Sequence, residues 1–186
     1  MFAAPPCGTF SVSRFIDSPD SRDGGPPILR TRQCVRGIPE VPGPHVKELE
    51  QANLIIERTV ALVLNAVQSG ARYIIENPAD RGDPRSPLFW IKDHGPLWLM
   101  PEIRSLVQAT GAQRVTFPQC AYGAPTQKYT TLLYSPSLHQ LFQAMGELKC
   151  THSRHGRRAG GEGDGRGNWN SRSTAAYPKE MNRAFE

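Results

Sequence analysis

Arg72-Tyr73-Ile74-Ile75-Glu76-Asn77-Pro78 (RYIIENP) is the stretch on which the fold turns. A short apolar run closed by Asn-Pro reads as a buried strand, Arg72 to Glu76, that ends in a turn. Just upstream, Leu49, Asn53, Ile56, Val60, Val63 or Leu64, and Val67 recur at three- and four-residue steps. That period predicts a helix from about Val46 to Ser69, with Gly70 as its terminator. The stripe is apolar apart from Asn53, so one face is expected in the core.

Working outward, the chain keeps alternating. Pro101 to Thr110 predicts a second helix, with proline at its start and Gly111 at its end. Arg114–Phe117 and Thr131–Ser135 read as further strands. Ser137 to Met145 reads as a helix stopped by Gly146. Strands and helices in alternation predict an α/β sheet. Ser13 to Pro44 carries Gly24, Gly25, Pro26, Pro27, Pro39, Pro42 and Pro44 without a sustained apolar period, and reads as a long loop. Gly156 to Gly167 is almost all Gly, Arg, Glu and Asp and reads as a flexible loop. Ser173–Phe185 predicts a closing helix, its regular part starting near Tyr177 because of Pro178. The expected division is therefore 1–155 as one domain and 156–186 as a flexible segment with a C-terminal helix.

Composition narrows the class. With 186 residues, 38% hydrophobic and 21% charged, one folded domain with a real core is expected. A formal charge of +5 and a pI near 9.2 suit a polyanionic partner. No apolar run is long enough to span a bilayer and no leader pattern opens the sequence, so no membrane partner is expected. The four cysteines, Cys7, Cys34, Cys120 and Cys150, lie far apart, as reduced intracellular thiols do.

Three segments carry residues suited to chemistry. In Ala4-Pro5-Pro6-Cys7-Gly8-Thr9-Phe10-Ser11 two prolines stiffen the backbone before a cysteine at the start of a loop. A thiol so held could meet a ligand, but as a nucleophile it would need activation. Glu76 ends a buried strand, where open α/β sheets place their ligand crevice, and a carboxyl there could hold or share a proton. Phe117 to Thr130 runs strand, glycine/proline turn and Lys128, which would set donors over the same crevice. Taken singly, each is also what an inert cysteine, a strand-ending turn or a solvated lysine looks like.

In this order, the three segments resemble the cytosine-5 DNA methyltransferase family. Pro5–Ser11 is similar to its PPC-polar-FS nucleophile motif, Glu76-Asn77-Pro78 to its ENV motif, and Tyr122–Thr130 to its YGxPQxRxR motif. The resemblance runs from Phe2 to about Tyr134. Gly8 stands where a glutamine is common, Thr126 where the third motif has glutamine, and Thr130 where it has a second arginine. The resemblance implies that Cys7 attacks cytosine carbon 6, that Glu76 donates a proton to ring nitrogen 3, and that Lys128 binds the base or a phosphate. It implies S-adenosylmethionine as methyl donor and DNA as partner, with the target base flipped from its stack. Arg14, Arg22, Arg30, Arg32 and Arg36 of the long loop would then be candidate phosphate ligands.

The family's glycine-rich donor motif should precede Pro5, and only six residues stand before Cys7. The implied fold is thus a partial Rossmann-like methyltransferase sheet with flanking helices, lacking the N-terminal donor-binding strands. A complementary donor-binding fragment is the implied partner, and the chain alone should be a poor methyltransferase or none. The location implied is intracellular, nuclear if the source is eukaryotic. A non-catalytic nucleic-acid-binding or structural remnant of the same fold is the alternative. A third reading is a zinc module using Cys150, His152 and His155, with Cys120 and His139 as the nearest further candidates, although the spacing matches no standard finger. Cys34 and His94 belong to no motif and read as structural.

Overall fold

A computed structural model of the chain describes residues 1–15, 26–155 and 176–183. The fold is mixed α/β. In chain order come β1 (Phe2–Ala3), α1 (Gly43–Gln68), β2 (Ile74–Pro78), α2 (Pro101–Thr110), β3 (Gln113–Pro118), β4 (Tyr129–Tyr134), α3 (His139–Phe142) and α4 (Lys179–Arg183), with short 3-10 turns between. The four strands form one sheet in the order β1-β2-β4-β3. β1 runs parallel to β2, and the chain between them contains α1, as a parallel pair requires. β4 lies antiparallel between β2 and β3.

The helical stripe explains how the first face of the sheet is covered. α1 buries Leu49, Ala52, Ile56, Val60 and Val63, and begins at Gly43 with Pro44 in its first turn, three residues before the expected start. α2 buries Ile103 and Leu106 and ends at Gly111, whose φ of 66° lets its N–H return to Val107 O. These helices pack with Phe10, Leu97, Trp98 and Met100 on Tyr73, Ile75 and Leu133. Since strand side chains alternate, Ile74, Glu76, Leu132, Tyr134, Val115 and Phe117 take the other face. There Leu138, Phe142, Met145 and Met181 complete a second core.

The sequence reading is corrected at Ser137–Met145. That segment is not one helix but a 3-10 turn (Pro136–Leu138), the four-residue α3, and a second 3-10 turn (Gln143–Glu147). Close packing accompanies the break: a Cβ on Gly146 would stand 3.2 Å from Val115 Cγ2, so the chain lies tight against β3. The expected strand at 72–76 is shifted to 74–78, because Pro78 still pairs with Thr130 and its carbonyl takes the indole N–H of Trp98 at 2.8 Å. Of the closing helix, Lys179–Arg183 is described; Gly156–Gly167 and the ends of the expected helix lie outside the described residues. Among the described residues no helix is long and apolar enough to cross a membrane.

Two connections clasp each other backbone to backbone. Thr31 pairs with His94 in an isolated antiparallel bridge, and Arg32 N–H donates to Asp93 O at 2.9 Å. Gly95 allows this approach, since a Cβ there would stand 2.6 Å from Thr31 O. Gly82 is equally confined, 2.9 Å from His94 O. Arg32 closes the clasp with a two-oxygen contact to Asp80 at 2.9 and 3.0 Å.

Candidate functional site

The Pro-Pro-Cys segment leaves the carboxyl end of β1 as a turn whose polar groups are held from several sides. Phe10 N–H closes the turn on Cys7 O at 3.0 Å. Asn77 Nδ2 donates to Pro5 O at 3.0 Å, Arg14 Nε to Gly8 O at 2.6 Å, and Arg30 Nε to Thr9 Oγ1 at 3.0 Å. His94 accepts the Arg81 N–H on Nδ1 at 3.1 Å, so Nε2 carries the ring proton and donates to Phe10 O at 2.9 Å. Sequence reasoning gave His94 no role beyond a structural one. That role is to fix the turn that carries Cys7.

Burial pushes the Cys7 thiol above its ordinary pKa; Lys128 pulls it down and Glu76 pushes it further up. The thiol therefore keeps its proton near neutrality, and its use as a nucleophile requires that proton to be removed. Glu76 is buried on the second face of the sheet. Thr130 Oγ1 donates to its Oε1 at 3.3 Å, and the Tyr177 hydroxyl donates to its Oε2 at 2.8 Å. Thr130 is held in turn by Gln119 Nε2 at 2.7 Å. The threonine that departs from the third motif is thus a partner of the Glu76 carboxylate. Burial, then the charge of Glu76 and its hydrogen bond, push the Tyr177 phenol far up, so that it stays a donor.

Lys128 stands immediately before β4, and its Nζ lies 6.0 Å from the centroid of the Tyr177 ring. Phe2 meets the same ring edge-on at 6.2 Å. The topology makes the convergence intelligible. Cys7 follows β1, Glu76 lies toward the end of β2, and antiparallel β4 starts at the edge where its neighbours finish. All three residues stand at the carboxyl end of the parallel pair, which is where open α/β sheets form their crevice.

No family model, curated protein or solved structure matches this chain.

The arginines read as phosphate ligands are largely engaged with protein. Arg14 bonds Gly8 O, Pro27 O at 2.8 Å and Glu48; Arg32 holds Asp80; Arg36 reaches Glu57 at 3.0 Å and also Glu102. Arg30 is buried, with its guanidinium 4.0 Å above the Phe10 ring. Arg22 lies outside the described residues. Tyr177 is the residue that sequence reasoning missed: 101 positions separate it from Glu76, and no local pattern marks it. A shallow groove of about 370 Å³ lined by Val67, Arg72, Tyr73 and Thr110 opens at the other end of the sheet and touches none of these groups.

Among the described residues no feature marks a place for the methyl donor that the resemblance implies. The donor motif would belong beside β1, yet β1 is a two-residue edge strand with Phe2 45% exposed. Among the described residues no glycine-rich strand–helix turn flanks it.

Proposed function

We propose that this chain carries the base-handling part of a cytosine-5 methyltransferase-type site, on a partial Rossmann-like sheet. One observation carries the reading: Lys128 and Glu76, from segments far apart in sequence, meet at one Tyr177 side chain, the ammonium 6.0 Å from its ring centroid and the carboxyl 2.8 Å from its hydroxyl. The β1–α1–β2 crossover, with all three groups at the carboxyl end of its strands, supports it.

The chemistry asked of these residues is an addition. Cys7 loses its proton to solvent, and the sulfur pair forms a bond to cytosine carbon 6. The carbon 5–carbon 6 π pair moves to the carbon 4–carbon 5 position. The displaced pair of the carbon 4–nitrogen 3 bond takes a proton from the acid form of Glu76. Carbon 5 is then nucleophilic. In water it takes up a proton and then loses the original hydrogen to solvent; Glu76 takes back the proton of ring nitrogen 3 as the sulfur departs and is reprotonated by solvent, which restores cytosine with an exchanged carbon 5 hydrogen. Lys128 would hold the base or a phosphate. A methyl donor would be supplied by a segment or partner outside the described residues, and a DNA substrate implies work inside the cell, in the nucleus of a eukaryote. The formal charge of +5 suits that partner, and exposed Phe89 and Trp90 offer stacking surface beside Arg81.

The test needs no donor. Single-stranded DNA with tritium at cytosine carbon 5 is incubated with the full chain, and release to solvent is counted. Release is expected from the native chain, to be abolished by Cys7→Ala, and to fall by ~100-fold or more in Glu76→Gln, as loss of a general acid does. Background release from folded chain, or release that survives Cys7→Ala, overturns the reading. A non-catalytic nucleic-acid-binding protein of the same fold is the second reading. The Tyr177 hydroxyl on Glu76 favours it, since it fills the position a base would need. DNA binding without exchange decides for it.

A further inference from the structure

We propose that Cys120, Cys150, His152 and His155 form a four-ligand structural zinc site. One ligand atom from each lies within 4.8 Å of all the others. A tetrahedral ion with bonds of about 2.0–2.3 Å to nitrogen and sulfur sets its ligands roughly 3.3–3.8 Å apart. Cys150 Sγ stands 3.8 Å from His152 Nδ1 and 3.3 Å from His155 Nε2, already in that range. Only a contraction of about 1 Å of the widest pair is needed to close the shell.

The donor set selects the metal. Two thiolates and two imidazoles suit zinc, and no oxygen ligand invites calcium or magnesium. Four protein ligands leave no open position, so the site is structural rather than catalytic. The surroundings need such a tie. Lys149 to His155 has no regular secondary structure, and Thr151 to Arg154 are exposed, yet the segment carries three donors to the buried Cys120. Four lone-pair-bearing atoms gathered this closely repel one another unless a proton or a cation lies between them. His139, the other candidate from the sequence, is not part of the group: its ring stacks on Tyr134 and its Nδ1 meets the Tyr134 hydroxyl at 3.2 Å.

The tie has a defined target. Cys120 sits in the 3-10 turn Gln119–Tyr122, which opens the connection to Lys128. Gln119 N–H donates to Lys128 O at 2.8 Å, and its side chain holds Thr130 against Glu76. A metal here would fasten the chain beyond the second core to the turn that supports both Lys128 and Glu76. The spacing C-x29-C-x-H-x2-H closes a long loop, the case in which a cross-link removes most freedom from the unfolded chain.

The test uses the full chain, produced with zinc present and kept reduced. Metal analysis is expected to give one zinc per chain, and Cys150→Ser or His155→Ala to lower zinc affinity by ~100-fold or more. Cys34→Ser, outside the cluster, should keep one equivalent. Replacement by cobalt should give the visible bands of a tetrahedral ion with thiolate charge transfer. Zinc should protect Cys120 and Cys150 from alkylation and leave Cys7 and Cys34 reactive, which identifies the ligands even if a variant fails to fold. Folded native chain that binds less than a tenth of an equivalent from added zinc, or zinc retained in full by Cys150→Ser, overturns the proposal. So does a Cys120–Cys150 disulfide in the reduced, zinc-supplied chain.

Discussion

Replacing Arg30 with methionine separates two views of the long loop, because the sequence offers this residue as a phosphate ligand and the structure buries it. Its side chain donates to Thr9 Oγ1 at 3.0 Å, Val35 O at 2.6 Å and Asn53 Oδ1 at 2.8 Å. Each bond from a charged donor contributes ~1.5–3 kcal/mol, so the three together contribute ~4.5–9 kcal/mol. Against this stands the charge itself. Burial first, then the positive charges of Arg14 and Arg36, push the guanidinium down to about 10, with Glu48 opposing. At ~1.4 kcal/mol per pKa unit, holding the charge at neutral pH costs on the order of 3 kcal/mol, which Arg30→Met would recover. Methionine fills much of the same volume, so the expected net loss is about 3–4 kcal/mol, or a melting temperature lower by ~10 °C in a chain of this size. The pH dependence has a definite sign. A base whose folded pKa is lowered binds fewer protons when folded, so the native chain gains stability as pH rises from about 10, and the variant lacks that gain. Thermal and urea melts of both proteins measure the effect. A variant melting within ~2 °C of the native chain, with DNA binding selectively lost, would refute the reasoning and restore Arg30 as a phosphate ligand.

Three further outcomes are expected. Glu76→Gln should lower the pH at which Cys7 is alkylated and Lys128→Gln should raise it, since the two charges act on the thiol with opposite sign; peptide mapping of iodoacetamide labelling against pH reads both, and shifts in one direction would sink the shared site. Asp80 is raised by burial, but the Gly82 N–H and Arg32 outweigh this and hold its carboxyl below the ordinary value. Its contribution is present above the unfolded pKa and lost as pH falls through the folded one, so urea midpoints should drop on acidification, and Asp80→Asn should flatten that drop. Tyr177→Phe removes the hydroxyl from Glu76 and should speed tritium release from cytosine carbon 5; slower release would make Tyr177 a contributor to the reaction rather than an obstacle.

What the sequence made legible follows from local physics. The stripe from Leu49 to Val67, the Pro101 start and the Gly111 stop are all within-segment signals, and α1 and α2 stand within a few residues of where they were expected. β3 and β4 were marked by their own apolar runs. β1 was not, because two residues carry no period and its identity comes only from pairing with Ile74 and Ile75. The insertion of β4 between β2 and β3 is likewise a property of the sheet rather than of any strand. At the site, Cys7, Glu76 and Lys128 could be singled out because each sits in a compact motif. Tyr177 and His94 could not, and Arg30 was offered as a phosphate ligand rather than a buried donor, since their roles depend on contacts across 101, 84 and 21 positions. Cys120 was one of two further candidates for the zinc reading, and the choice of Cys120 over His139 comes only from the fold that sets it beside Cys150.

The clasp between Thr31 and His94 changes where this chain can vary. Connections normally absorb substitutions and insertions while helices and strands resist them. Here Gly82 and Gly95 leave no room for a side chain against the facing backbone, while Leu54, Ile55 and Leu62 on the outer side of α1 are exposed. A saturation library should therefore show an inverted tolerance map, with intolerant columns in the apparent loop between β2 and α2 and permissive ones along the longest helix. An inserted residue between Gly82 and Gly95 would disturb the Cys7 turn through His94, without altering Cys7, Glu76 or Lys128.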